Sequence, residues 1–209
     1  MITEFPATKL TLTDVGMSRG NYHLFSGVSF ELTPGQVLWV HGDNGIGKTT
    51  LLRIASGFTP PETGTASYSM SGQSCKPENI IAYQGHQTGF KAKLTAQEEL
   101  SFWAKLHGFN GQLPDIFTLI GLGEKLSVPT GSLSAGQKRR LGLGRLIISQ
   151  KPVWIMDEPA ASLDAEGSQL TEMIISDHTA RGGSVIIASH SPAKVLGQNA
   201  RRLTLRAAS

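Results

Sequence analysis

Residues Gly42-Asp43-Asn44-Gly45-Ile46-Gly47-Lys48-Thr49-Thr50 fit the pattern G-x-x-x-x-G-K-[ST] at every fixed position. They lie between an apolar run, Val37 to Val40, and a helical pattern that starts at Thr49, which is the strand-loop-helix context that phosphate binding needs. Glycines at 42, 45 and 47 let the backbone take positive φ and turn its N–H groups toward a polyphosphate, while the following helix directs its positive end to the same point. Lys48 then reaches the β- and γ-phosphates, and the Thr49 hydroxyl becomes a ligand for Mg2+. The expected ligand is a nucleoside triphosphate with its magnesium ion.

Two other stretches fit the same chemistry. Trp154-Ile155-Met156-Asp157-Glu158-Pro159 ends an apolar strand in two acids, Asp157 placed to hold Mg2+ and Glu158 to orient or deprotonate the attacking water. Alone, such a pair is an ordinary turn or helix cap; downstream of a complete phosphate loop it gains this second meaning. Leu133-Ser134-Ala135-Gly136-Gln137 opens a long helix. Ser134 is a natural N-cap, and the same helix start, with its N–H groups and hydroxyl, would serve as a second γ-phosphate site.

Taken together, the three stretches resemble the ATP-binding cassette (ABC) ATPases, whose signature Leu-Ser-Gly-Gly-Gln is matched here with Ala135 in place of the first glycine. The resemblance implies ATP as the nucleotide, a P-loop fold with a mostly parallel core sheet, an antiparallel β subdomain and an inserted helical subdomain. It also implies roles for Ser134, Gly136 and Gln137 of the signature, for Asp164 within Ser162-Leu163-Asp164, and for His190 as the switch histidine at the γ-phosphate. Catalysis would then rest on Glu158, His190 and Lys48. The family's glutamine at the edge of the helical subdomain falls at His86, between Gln84 and Gln87, so His86 or Gln87 would sense the nucleotide. The aromatic residue that stacks on adenine in many relatives falls at Arg19, with Tyr22 near it; a guanidinium also stacks on a base face.

A narrower resemblance rests on Leu24 to Phe30, on Gly85 to Thr95 and on the brevity of the chain: these are similar to the ATPase subunits of cytochrome c maturation haem exporters. That resemblance implies a multi-span membrane subunit and haem-handling proteins as partners, a second copy of the chain packed head to tail, and a peripheral place on the cytoplasmic face of the inner membrane. The chain would supply energy without holding haem, since it carries no Cys-x-x-Cys-His. The alternatives are the ATPase of another small ABC transporter, or a soluble ABC switch on nucleic acid or ribosomes. The soluble class typically carries two cassettes or a coiled-coil insertion, whereas this sequence has one phosphate loop and no heptad tract.

These motifs require particular elements to hold them. Lys9 to Val15 and Val28 to Leu32 alternate as antiparallel strands around a turn-rich segment from Gly16 to Gly27. Val37 to Val40 predicts a buried strand, Thr49 to Ser56 a helix stopped by Gly57, Thr59 to Gly64 a loop, and Ile80 to Tyr83 a short strand. Thr95 to His107 predicts a helix with a Thr95–Glu98 capping box, followed by helices over Leu113 to Ile120 and Ser134 to Ser149. Residues 87–150 would thus form a helical subdomain within one ATPase domain spanning 1–209. Val153 to Met156 and Val185 to Ala188, separated by a helix over Ala165 to Arg181, read as buried parallel strands, with a last strand near Arg202 to Leu205.

Composition bounds the rest. Over 209 residues the net charge is +3, and the densest basic cluster, Lys138-Arg139-Arg140, is too short to argue for nucleic acid. One cysteine, Cys75, excludes an internal disulfide framework, and no run of 18 apolar residues occurs. Any membrane spans would have to come from another chain.

Overall fold

The computed structural model describes residues 4–189 and 200–206. In chain order its elements are β1 (Thr8–Arg19), β2 (Tyr22–Leu32), β3 (Val37–His41), α1 (Lys48–Ala55), β4 (Thr63–Met70), β5 (Gln73–Ser74), α2 (Pro77–Ile80), β6 (Ile81–Gln84), α3 (Ala96–His107), α4 (Leu113–Leu119), α5 (Ala135–Ser149), β7 (Val153–Asp157), α6 (Ala165–Ala180), β8 (Ser184–Ala188) and β9 (Arg201–Thr204). A five-stranded sheet runs β6-β7-β8-β3-β9, parallel at every pairing. A second, antiparallel sheet runs β2-β1-β4-β5.

The parallel sheet divides the core. Strands β7 and β8 are buried at all five positions, as their unbroken apolar sequences require of strands covered on both faces. Trp154, Met156, Val185 and Ile187 face a cluster with Leu100 of α3, Phe117 of α4 and Leu143 of α5. Val153, Ile155, Ile186 and Ala188 face the other way, into a cluster with Leu51 and Leu52 of α1 and with Leu10, Leu12 and Phe25 of the antiparallel sheet. Alternate residues of one strand therefore serve two different cores. On the helical side, His178 of α6 is fully buried and stacks on Trp154 with ring centroids 3.7 Å apart. Its Nε2–H donates to the Pro152 carbonyl at 3.1 Å, and burial pushes its pKa down to about 3, so the imidazole is neutral.

The first hairpin is longer than its sequence predicts. β1 and β2 continue through the glycine-rich segment to a two-residue turn, Gly20-Asn21, because the register shifts along β1 absorb the irregular residues. Asp14 sits at one such shift with φ 52°, its N–H held by Ser29 Oγ at 2.8 Å. Strand β4, for which the sequence suggests only a loop as far as Gly64, pairs with β1 over Thr8 to Gly16 and turns Ala66, Tyr68 and Met70 toward the core. The helix of Thr95 has its capping box: Thr95 Oγ1 accepts from the Glu98 N–H at 3.2 Å and Glu98 Oε2 from the Thr95 N–H at 2.8 Å.

Candidate active site

Residues 42–47 bridge the end of β3 and the start of α1. Gly47 is the N-cap of α1 with φ 104°, a conformation that disfavours any side chain, and a Cβ there would lie 3.0 Å from two ring carbons of Phe25, so that ring would also have to give way. Lys48 is buried, and its ammonium donates to the Gly42 and Asp43 carbonyls at 2.8 and 2.9 Å. Ile46 packs against the apolar cluster of Phe25, anchoring the loop. Asn44, Gly45, Gly47, Lys48, Thr49 and Thr50 line a cleft of about 500 Å³. Because α1 begins at Lys48, the positive end of that helix points into this cleft.

Asp157 ends β7 beside the loop. Its Oδ2 accepts a 2.8 Å hydrogen bond from Thr49 Oγ1, and the carboxyl is buried. A hydroxyl and a carboxylate in contact, open to a loop shaped for phosphate, form an all-oxygen donor set of the kind Mg2+ takes. Among the described residues no group of three or more His, Cys, Asp or Glu could hold a metal by itself. Glu158 lines the same cleft. Its φ of 52° is uncommon for a non-glycine residue, and the conformation is fixed by its N–H donating to the Ala188 carbonyl at 2.8 Å.

His86 and Arg19 also line the cleft, whereas Tyr22 is 80% exposed and is not among the lining residues. Gln87 instead faces a neighbouring cavity of about 380 Å³, which His86 also borders. Ser134, Gly136, Gln137 and Asp164 stand apart from the phosphate loop, none of them lining its cleft. Ser134 and Gln137 form a capping box, with Ser134 Oγ accepting from the Gln137 N–H at 3.1 Å and Gln137 Oε1 from the Ser134 N–H at 2.9 Å. A Cβ on Gly136 would lie 2.8 Å from the Ser162 carbonyl, so this glycine lets the helix approach the segment before Asp164. Asp164 caps α6 by accepting from the Gly167 N–H at 2.8 Å. His190 lies outside the described residues.

Arg139 was hidden in the basic triplet. It is 5% exposed, and its guanidinium donates to three carbonyls: Gly85 at 3.0 Å, His86 at 3.2 Å and Asp157 at 3.4 Å. Burial lowers its pKa, and the charges of Asp157 and Glu158 oppose that shift. The signal that could have found it is helical spacing, since Arg139 shares a face with the buried Gly142, Leu143 and Leu146. Arg145, two turns on, donates to the Thr88 carbonyl at 2.7 Å and lies 4.2 Å from the Trp103 ring centroid.

Beyond that loop is a groove of about 370 Å³ whose lining includes Phe58, Gln87, Trp103, His107 and Arg145. On α3, Phe102 and Leu106 are more than half exposed. No helix among the described residues is long and apolar enough to cross a membrane.

The ABC transporter family model matches residues 25–161. The chain is 41% identical over 181 residues to the cytochrome c biogenesis ATP-binding export protein CcmA of Ruegeria pomeroyi, covering 87% of this chain and 84% of the relative. It is 42% identical over 183 residues to the protein of the same name from Roseobacter denitrificans, with the same coverage of 87% and 84%. A solved ATP-binding subunit of an ABC transporter superposes with a TM-score of 0.82 at 22% identity, covering 94% of this chain and 85% of that one.

Proposed function

We propose that this chain, which belongs to the ABC transporter family, hydrolyses ATP as the nucleotide-binding subunit of a membrane complex for haem export or haem-chaperone release in cytochrome c biogenesis. The observation that carries the reading is the convergence of Lys48, Thr49, Asp157 and Glu158 on one cleft. In this reading the loop from Gly42 to Thr50 cradles the phosphates, with Lys48 exchanging its loop carbonyls for phosphate oxygens. Thr49 and Asp157 hold Mg2+, which when bound neutralises charge on the β- and γ-phosphates. Glu158 orients and deprotonates the attacking water, and Arg19 stacks on adenine.

The second half of each site comes from another copy. Ser134, Gly136, Gln137 and Asp164 lie away from the cleft of their own chain, so a head-to-tail dimer would bring the partner's α5 N-terminus to the γ-phosphate, with His190 contacting the same group. Residues 1–209 act as one ATPase domain, with 87–150 as its helical subdomain. The groove beside Trp103 and the exposed Phe102 and Leu106 support a multi-span membrane subunit docked there. That docking would keep the chain peripheral at the cytoplasmic face of the inner membrane, with haem-handling proteins assembled on the complex.

Two variants test the reading in cells and in vitro. Lys48→Ala is expected to lose tight ATP binding, whereas Glu158→Gln keeps binding and loses hydrolysis. Cells whose only copy is Lys48→Ala are expected to lack mature c-type cytochromes. Normal holocytochrome c in those cells would remove the haem assignment, and hydrolysis at the parent rate by Glu158→Gln would remove the assignment of the base.

A further inference from the structure

Arg139 projects from the second turn of α5, five positions beyond the Ser134 N-cap, and reaches two segments that both enter the nucleotide cleft. One is the loop after β6, through the Gly85 and His86 carbonyls; the other is the end of β7, through the Asp157 carbonyl. The joint is tied in the opposite direction as well. Gln84, buried at the end of β6, donates from Nε2 to the Arg139 carbonyl at 3.2 Å. Gly142 makes room for that amide, since a Cβ there would lie 2.5 Å from Gln84 Nε2.

The chemistry requires arginine in particular. A planar guanidinium carries five N–H donors in a fixed fork, so one side chain bonds carbonyls on two segments at once, whereas a lysine ammonium is a point donor that does not impose a relative orientation. The guanidinium also places a permanent positive charge next to Asp157 and Glu158, offsetting two adjacent carboxylates in a poorly solvated place. Arg139 itself is not among the residues lining the nucleotide cleft. Its effect on hydrolysis would therefore pass through the backbone that carries the Asp157 carboxylate and the His86 ring.

We propose that Arg139 is a positioning residue for ATP hydrolysis, locking the N-terminal part of α5 to the metal-binding end of β7 and to His86. A displacement of α5 at Ser134 is then transmitted to the carboxylate that holds the metal. This inference rests on the proposed ATPase reading and adds a residue to it.

The test uses the full chain, isolated with the membrane subunits that accompany it, and Mn2+ as the metal probe. Parent, Arg139→Lys, Arg139→Gln and Gln84→Met are compared for kcat, KM, thermal stability and the Mn2+ concentration that half-saturates metal binding in the presence of ATP, read by electron paramagnetic resonance. A misplacement of about 1 Å at a reacting centre costs roughly 100-fold in rate. Arg139→Lys and Arg139→Gln are thus expected to lose on the order of 30- to 100-fold in kcat, need roughly tenfold more Mn2+, and keep KM within about threefold. Gln84→Met is expected to show the same split more weakly. Should Arg139→Gln fail to fold, Arg139→Lys, which keeps the charge, decides the matter. A kcat and Mn2+ requirement within threefold of the parent in Arg139→Lys overturns the proposal. So does a loss of thermal stability with an unchanged Mn2+ requirement, which would make Arg139 a packing residue. A parent chain that hydrolyses no ATP sinks the ATPase reading instead, a distinguishable outcome.

Discussion

Thr49 and Asp157, 108 positions apart in sequence, meet through a 2.8 Å hydrogen bond from hydroxyl to carboxylate. One comes from the first turn of α1 and the other from the last position of β7, so the contact measures how accurately loop and sheet are docked. If this pair holds Mg2+, Asp157→Asn is expected to lower kcat by roughly 100-fold, equivalent to about 2.7 kcal/mol of barrier. Thr49→Ser keeps the oxygen and should stay near the parent. Hydrolysis measured against Mg2+ concentration checks both, and a parent-like magnesium dependence in Asp157→Asn would remove it from the metal site.

The separation of Ser134 from the cleft of its own chain predicts ATP-dependent association. Glu158→Gln with Mg-ATP is expected to elute as a dimer on sizing chromatography, and adding Ser134→Arg should return it to monomer. Co-isolation with the membrane subunits provides a second setting for the same comparison. A dimer that survives the arginine substitution would place the interface elsewhere.

His86 lines the phosphate cleft, while Gln87 faces the cavities on either side of its own loop. His86→Ala is therefore expected to reduce turnover at saturating ATP by roughly 100-fold, the lower end for removing one positioned group beside the reacting phosphate. Gln87→Ala should act mainly on stimulation by the membrane subunits. Nucleotide titration beside steady-state kinetics separates the two, and equal kinetic behaviour of both variants would count against assigning them different sides.

His178 gives the fold a dependence on acidity. Burial lowers its pKa to about 3, below the ordinary histidine value of 6.5. The unfolded chain therefore takes up the proton first, and the stability contributed by the neutral ring is complete above pH 6.5 and declines as pH falls toward 3. At pH 5 the loss amounts to about 2 kcal/mol. His178→Phe preserves an aromatic partner for Trp154 and is expected to flatten the change in urea midpoint between pH 7 and pH 5. An unchanged slope in that variant would assign the dependence to other groups.

The phosphate loop, the acids Asp157 and Glu158 at the end of β7 and the parallel strands were legible because each is a local pattern: fixed spacing for the first two, unbroken apolar runs for the strands. Strand β4 was not, since its first residues, Thr63-Gly64, continue a loop rich in proline and glycine, its short alternation Ala66-Ser67-Tyr68-Ser69-Met70 is only weakly apolar, and its partner β1 lies about fifty positions earlier. The hairpin was shortened for a related reason: Gly16, Gly20 and Gly27 resemble turn residues, yet only Gly20 sits in the turn and the bulged pairing carries β1 and β2 past the others. Arg139 shows the limit for the site. A charged triplet at the start of a helix suggests solvent, and only the three carbonyls supplied by distant segments make one of those charges a buried tie.

Parity along β7 decides what reaches the nucleotide. Val153 and Ile155 point to the cluster that contains α1, and Trp154 and Met156 to the helices on the other face. Asp157 is the next odd position, which is why its carboxylate emerges beside Thr49. The reading frame of this strand therefore matters more to the metal ligand than the identity of any one apolar residue within it. Exchanging Ile155 for valine leaves the frame intact, but inserting a single residue between Val153 and Met156 would carry the acid to the opposite face or force Trp154 out of its stack with His178. Length variation in this protein should accordingly be tolerated in its surface turns and forbidden in a five-residue strand buried at every position.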